Sequence, residues 1–135
     1  MKKSIFFAAI WLFSSTAFAV TNHYYMRDGN HVQHMKITQL KNNKEIHVSI
    51  DVDFEANEDE EGRRTCAAEI SGKAEYIKDD ELFMKIHSKG QANYCKLNIK
   101  LRDDSATIKQ SEHCDNFVRG ICHFSTGAKS LKKIE

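Results

Sequence analysis

Five apolar residues at alternate positions, Ile46, Val48, Ile50, Val52 and Phe54, with His47, Ser49, Asp51 and Asp53 between them, constrain this chain more than any other feature. A helix would scatter those five side chains around its axis, whereas an extended backbone places them all on one face. The segment is therefore expected to be a β-strand with one face in a core and the other toward solvent. Directly after it come Glu55, Glu58, Asp59, Glu60 and Glu61, an acidic run without an apolar anchor, which reads as a solvated loop or a contact surface. Cys66 follows the run, so within Lys44–Arg64 the loop is expected to be held at both ends.

The same period of two recurs along the chain. Met35 and Ile37 alternate with Lys36 and Thr38 in the stretch Val32–Leu40, and Asn42-Asn43 then supplies a turn. Cys66, Ala68, Ile70, Gly72, Ala74 and Tyr76 share one parity, with Gly72 the place for a bend or bulge. After a turn at Asp79-Asp80, Leu82, Met84 and Ile86 are in step, and Lys89-Gly90-Gln91 breaks the pattern. Cys95, Leu97, Ile99 and Leu101 then face inward against an outward basic stripe of Lys96, Lys100 and Arg102. Asp103-Asp104-Ser105 turns the chain into a short strand through Ala106 and Ile108. The segment 111–120 has no period and reads as a loop or a single helical turn. From Ile121 an extended segment is expected, with Cys122 and Phe124 in it, followed by Gly127, Leu131 and the basic residues Lys129, Lys132 and Lys133.

About seven or eight short strands, separated by turns and without a long amphipathic helix, make an all-β antiparallel fold, either a small barrel or a two-layer sandwich. The chain contains no proline, a common guard of exposed strand edges, so its edges must be protected by charge, by closure or by pairing with a second copy as a homodimer.

Residues 1–19 read as a secretory leader: Lys2 and Lys3 precede an apolar run from Ile5 to Phe13, and Ala17-Phe18-Ala19 offers the small residues of a cleavage site. The apolar run is too short for the roughly twenty residues that cross a bilayer. The mature chain is expected to begin at Val20 and to form one domain over 20–135, a size that supports a single modest core. Loss of Lys2 and Lys3 takes the formal net charge from +1 to −1. Such a balance gives no global field that would draw the protein to nucleic acid or anionic lipid. Periplasm is the expected compartment, with secretion as the alternative.

An exported chain with four cysteines, Cys66, Cys95, Cys114 and Cys122, is expected to hold two disulfides. Of the three pairings, Cys66–Cys95 and Cys114–Cys122 are favoured, the first two because they lie on apolar strand faces and the last two because they flank a short segment containing Gly120. There is no CxxC pair for zinc or redox chemistry. The four consecutive acids Glu58–Glu61 lack the alternating ligands, glycine and distal glutamate of an EF-hand loop. Among the seven histidines, His23, His31, His34, His47, His87, His113 and His123, the closest in sequence are His31 and His34, which a strand would send to opposite faces. No metal or cofactor is expected. No nucleophile elbow or paired catalytic acids are recognisable, and no thiol remains once the disulfides form, so the chain reads as a binding protein and not an enzyme.

Near the C-terminus, Phe124-Ser125-Thr126-Gly127-Ala128-Lys129 resembles the Ser-Gly-x-x loop motif of the small periplasmic lysozyme inhibitors, which are exported, disulfide-linked β-barrels. The family's tyrosine is replaced, since Ser130 follows Lys129, and the motif is mid-chain in that family. The resemblance implies that Thr126, Gly127 and Lys129 belong to an inhibitory loop. Export, size and cysteine use are similar to those of periplasmic immunity proteins as well. These features combine into an expected function: a periplasmic inhibitor of a basic muramidase or other peptidoglycan hydrolase, with Asp51, Asp53, Glu58, Asp59, Glu60 and Glu61 steering the cationic partner. The alternative is an envelope module that binds a small ligand or glycan in its interior or on the Lys96–Arg102 face; a hollow interior would favour it and a filled one the inhibitor.

Overall fold

The computed structural model describes residues 19–41, 44–55, 65–87, 90, 92–118 and 122–134. The alternating segments form eight antiparallel strands: β1 (Ala19–Asp28), β2 (His31–Leu40), β3 (Ile46–Phe54), β4 (Cys66–Lys78), β5 (Glu81–His87), β6 (Tyr94–Arg102), β7 (Ser105–Gln110) and β8 (Leu131–Ile134). Each pairs with the next in the chain, and β8 pairs with β1 through His23–Tyr25, closing a barrel in sequence order. Closure decides between barrel and sandwich, and it satisfies the strand edges that a proline-free chain must otherwise protect. β1 is the strand that the sequence pattern announces least, because Tyr24 and Met26 alone among its residues are buried.

The inward parity of each strand fills the interior. Met35, Ile50, Leu82, Leu97, Ile99 and Leu131 are completely buried; each such side chain contributes about 1.5–3 kcal/mol relative to exposure. Tyr76 keeps the parity expected for β4, since it lies opposite the buried Leu82, yet it is half exposed close to the Asp79-Asp80 turn. β4 pairs with β3 through Ala74 and with β5 from Glu75, and its register with β5 shifts between Tyr76 and Lys78. Gly72 is no bulge: a Cβ there would run into Cδ1 of Ile86, so glycine serves a close approach between β4 and the Ile86 side chain on β5.

The disulfides differ from the expected pairing. Cys66 is bonded to Cys122, and Cys95 to Cys114, with Cα atoms 6.1 and 4.4 Å apart. The reason is topological. Cys66 and Cys95 begin β4 and β6, which β5 separates, while the long connection between β7 and β8 comes to both of them. It starts with a 3-10 turn at Glu112–Cys114 that docks on β6 and returns through Cys122 to β4. Bridges closing 19 and 56 residues of chain contribute roughly 3 and 4 kcal/mol in the chain-entropy model.

Beyond Cys122 the connection is not the strand expected from Ile121 but a strap across the barrel's end. Phe124 is wholly buried, and its carbonyl accepts a 2.7 Å hydrogen bond from Nε2 of Gln33 on β2. Its N–H donates to Oε1 of Gln110 at 2.6 Å. Thr126 then bonds Ile108 twice: its N–H donates to the Ile108 carbonyl at 3.0 Å, and its hydroxyl accepts from the Ile108 N–H at 3.1 Å. Truncating Phe124→Ala is expected to lower stability by about 3–5 kcal/mol, read by denaturant unfolding with the disulfides intact. Non-reducing peptide mapping should recover Cys66–Cys122 and Cys95–Cys114 peptides.

Candidate functional site

Antiparallel order places the β1–β2, β3–β4, β5–β6 and β7–β8 connections at one end of the barrel, and both disulfides lie there. At the other end, Asp79-Asp80 and Asp103-Asp104 make tight turns. The disulfide-bearing end, or rim, adjoins an acidic face on the outside of β3 and β4. Asp51 and Asp53 are exposed there, as the alternation requires. In register, Asp51 lies opposite Glu69 of β4 on one side and His34 of β2 on the other, while Asp53 lies opposite Ala67. The small side chain of Ala67 leaves a shallow depression edged by Asp51, Asp53 and Glu69.

Like charges directly opposite in a sheet repel and destabilise it. The ion pairs among the described residues join Glu45 to Lys73 and His47, Glu81 to Lys78, and Asp28 to Lys129, so none neutralises Asp51, Asp53 or Glu69. Glu69 escaped the sequence reading because only the strand register makes it a neighbour of Asp51. Glu58, Asp59, Glu60 and Glu61 lie outside the described residues; Phe54 and Cys66, which bracket their connection, are paired side by side at the rim.

The C-terminal motif residues lie elsewhere. Thr126 is buried against β7, the strand farthest from β3 in the barrel order. Its hydroxyl serves the Ile108 bond, and Gly127 has the positive φ of +62° that favours glycine. Lys129 reaches back to the β1–β2 turn and pairs with Asp28 at 2.6 Å, an ammonium contact that holds the Asp28 carboxyl below its usual range. The structure thus groups Asp51 and Asp53, and separately seats Thr126, Gly127 and Lys129 on the strap.

His31 and His34 do face opposite sides, and each finds a partner remote in sequence. The ring of His31 lies 5.1 Å from that of His123 on the strap, and its Nε2 is buried without a hydrogen-bond partner among the described residues. His123 Nδ1 donates to the Ser125 carbonyl at 2.6 Å. Outside the barrel, His34 Nε2 is 3.3 Å from Nδ1 of His23. Among the described residues no group of three or more His, Cys, Asp or Glu side chains is gathered for a metal ion. The basic stripe borders an open groove of about 750 Å³ across β5, β6 and β7, where Lys100, Asn98, Thr107 and Lys109 meet Glu81 and Ser125 of the strap.

No family model, curated protein or solved structure matches this chain. The titration behaviour of the rim follows from its geometry. Burial, and then the neighbouring His123, lower the pKa of His31 from 6.5, against the opposing pull of Asp28. A base with a lowered folded-state pKa takes up its proton first in the unfolded chain, so stability is present above about 6.5 and declines as pH falls below it. Thermal unfolding scanned from pH 8 to 5 is expected to show that decline, and His31→Gln to flatten it.

Proposed function

We propose that this is a periplasmic inhibitor that binds a cationic cell-wall hydrolase, of the lysozyme-inhibitor or toxin-immunity kind, and acts by covering the enzyme's cleft. The observation that carries this reading is an acidic face that no base among the described residues neutralises: a sheet that sets Asp51 opposite Glu69, with Asp53 next along β3, gives up stability that a neutral pair would keep. A basic partner would neutralise that face on binding. The barrel supplies a rigid support for it, because its interior is occupied by side chains such as Met35, Leu97 and Phe124, which leaves outer surfaces for recognition. Clustered charges of one sign also accelerate encounter with an opposite partner, an effect that salt suppresses within a Debye length of about 8–10 Å.

A second reading, an envelope module for an anionic ligand or glycan, draws on the groove where Lys100 and Lys109 stand among the side chains of Asn98, Thr107 and Ser125. Its volume falls in the range of about 300–1,000 Å³ common for small-ligand sites. Binding to secreted and envelope muramidases separates the two. The inhibitor reading requires at least one cationic hydrolase to bind and lose activity. Changing Asp51, Asp53 and Glu69 together to serine is expected to slow association by about tenfold or more at low salt, with the difference shrinking at high salt. The same change should leave unfolding stability unchanged or raise it by about 0.2–1 kcal/mol, since it removes a repulsion. A variant that binds as fast as the parent at every salt concentration, or a parent that binds no hydrolase, rejects the proposal.

A further inference from the structure

The outer surface of β1 and β2, beside the acidic face, brings together two imidazoles that nothing in the fold requires. β1 and β2 pair without interruption from Ala19↔Leu40 to Asp28↔His31. In that register His34 stands opposite Tyr25, and His23, two residues back on the same face, is its diagonal neighbour, within reach of a long or aromatic side chain. The two rings lie nearly parallel, 17° apart in plane, with centroids separated by 5.4 Å. Nδ1 of His23 and Nε2 of His34 are 3.3 Å apart, and both side chains are only partly buried.

We infer that His23 and His34 form a two-histidine clip for a divalent transition-metal ion of the zinc or copper class. Two nitrogens bound at about 2.0–2.1 Å to a tetrahedral ion lie about 3.3–3.4 Å from each other, which is the separation these two nitrogens already have. Without metal, one ring N–H donates to the lone pair of the other ring. To bind an ion, the donor imidazole moves that proton to its other ring nitrogen through solvent, so both lone pairs face the ion and no net charge is released. Both ligands stand on one unbroken ladder, so no loop must be ordered on binding.

On the His34 side the pair adjoins carboxylates, and on the other sides the long side chains of Lys36 and Lys132. Asp51 lies across β2 and β3 from His34, with Glu69 behind it on β4, and neither is paired with a base among the described residues. Lys36, opposite His23, is exposed and can extend its ammonium into solvent. With two protein ligands and no third gathered there among the described residues, the remaining positions are open to water or to a donor from another molecule. A closed structural zinc site uses four protein ligands. This is therefore an exchangeable site, and the Irving–Williams order makes Cu²⁺ the tighter ion.

Calorimetric titration of the untagged protein with Zn²⁺ and with Cu²⁺, in a buffer that does not bind metal, tests the assignment. The expected result is one ion per chain, tighter for Cu²⁺. His34→Gln and His23→Gln should each abolish binding, and His31→Gln and His123→Gln should leave it intact. In nuclear magnetic resonance spectra, Zn²⁺ should shift the ring C–H signals of His23 and His34 and spare those of His31 and His123. Absence of binding, its survival in His34→Gln or His23→Gln, or its loss in the two rim variants would each overturn the clip. Circular dichroism of each variant establishes that the barrel is intact when the titration is read.

Discussion

The barrel depends on the strap between β7 and β8. β8 is only four residues long and pairs with β7 at just two positions, Ser105↔Lys132 and Ala106↔Leu131. Alone, that seam would leave the upper half of β7 as an open edge, with unpaired N–H and C=O groups. The strap completes it: Thr126 takes the hydrogen bonds of Ile108, and Ser125 Oγ accepts from the N–H of Gln110 at 2.9 Å. The same few residues drive Phe124 into the core and tie Gln33 of β2 to the far wall. Closure, core filling and the shape of the rim are thus one structural event, and the Cys66–Cys122 bridge fixes where it occurs.

That event explains why both disulfides gather at one end. A segment with almost no regular structure cannot hold its own course by ladder hydrogen bonds, and the conformational entropy of ordering it is about 1–2 kcal/mol per residue. Cross-links at Cys114 and Cys122 shorten the free chain at the two points where it meets the barrel wall. Asp28–Lys129 and the His31–His123 ring contact add attachments to the β1–β2 hairpin. The described part of the strap is thus held to the barrel at several points, which lowers the cost of ordering it.

Much of the fold was legible in the sequence, because it is written in local periodicity. The strands from Val32 onward, the inward parity of Ile46–Phe54 and Cys95–Leu101, and the turns at Asp79-Asp80 and Asp103-Asp104 all depend on neighbours in the chain. What was not legible depends on register and closure. The cysteine pairing could not be read from proximity, because β5 intervenes between Cys66 and Cys95 while a distant strap visits both. Tyr76 keeps its parity but is half exposed, because β4 there has run past its last pairing with β3 at Ala74. Of the acidic face, Asp51 and Asp53 were visible as outward residues, but Glu69 became part of it only through the β3–β4 register. Cys122 and Phe124 suggested an extended segment, but not that the strap's bonds go to Gln33, Ile108 and Gln110, which lie far off in the sequence.

The histidines show the same logic at its sharpest. His31 and His34 are three apart, and alternation sends one to the rim and the other to the outer wall, so their nearness in sequence predicts nothing about their partners. Register then gives each a different imidazole: His123 by way of the strap, and His23 by way of the β1–β2 ladder. The two pairs inherit opposite environments. Burial disfavours charge on His31 and makes its pair part of what holds the rim together. The His23–His34 pair stands at the border of a surface where Asp51 and Glu69 have no ion-pair partner among the described residues, so a cation attracted to that surface meets two nitrogen donors at its edge. The proposed docking of a basic protein on the acidic face and the proposed metal clip would therefore draw on the same local field, and occupation of one would weaken the attraction available to the other.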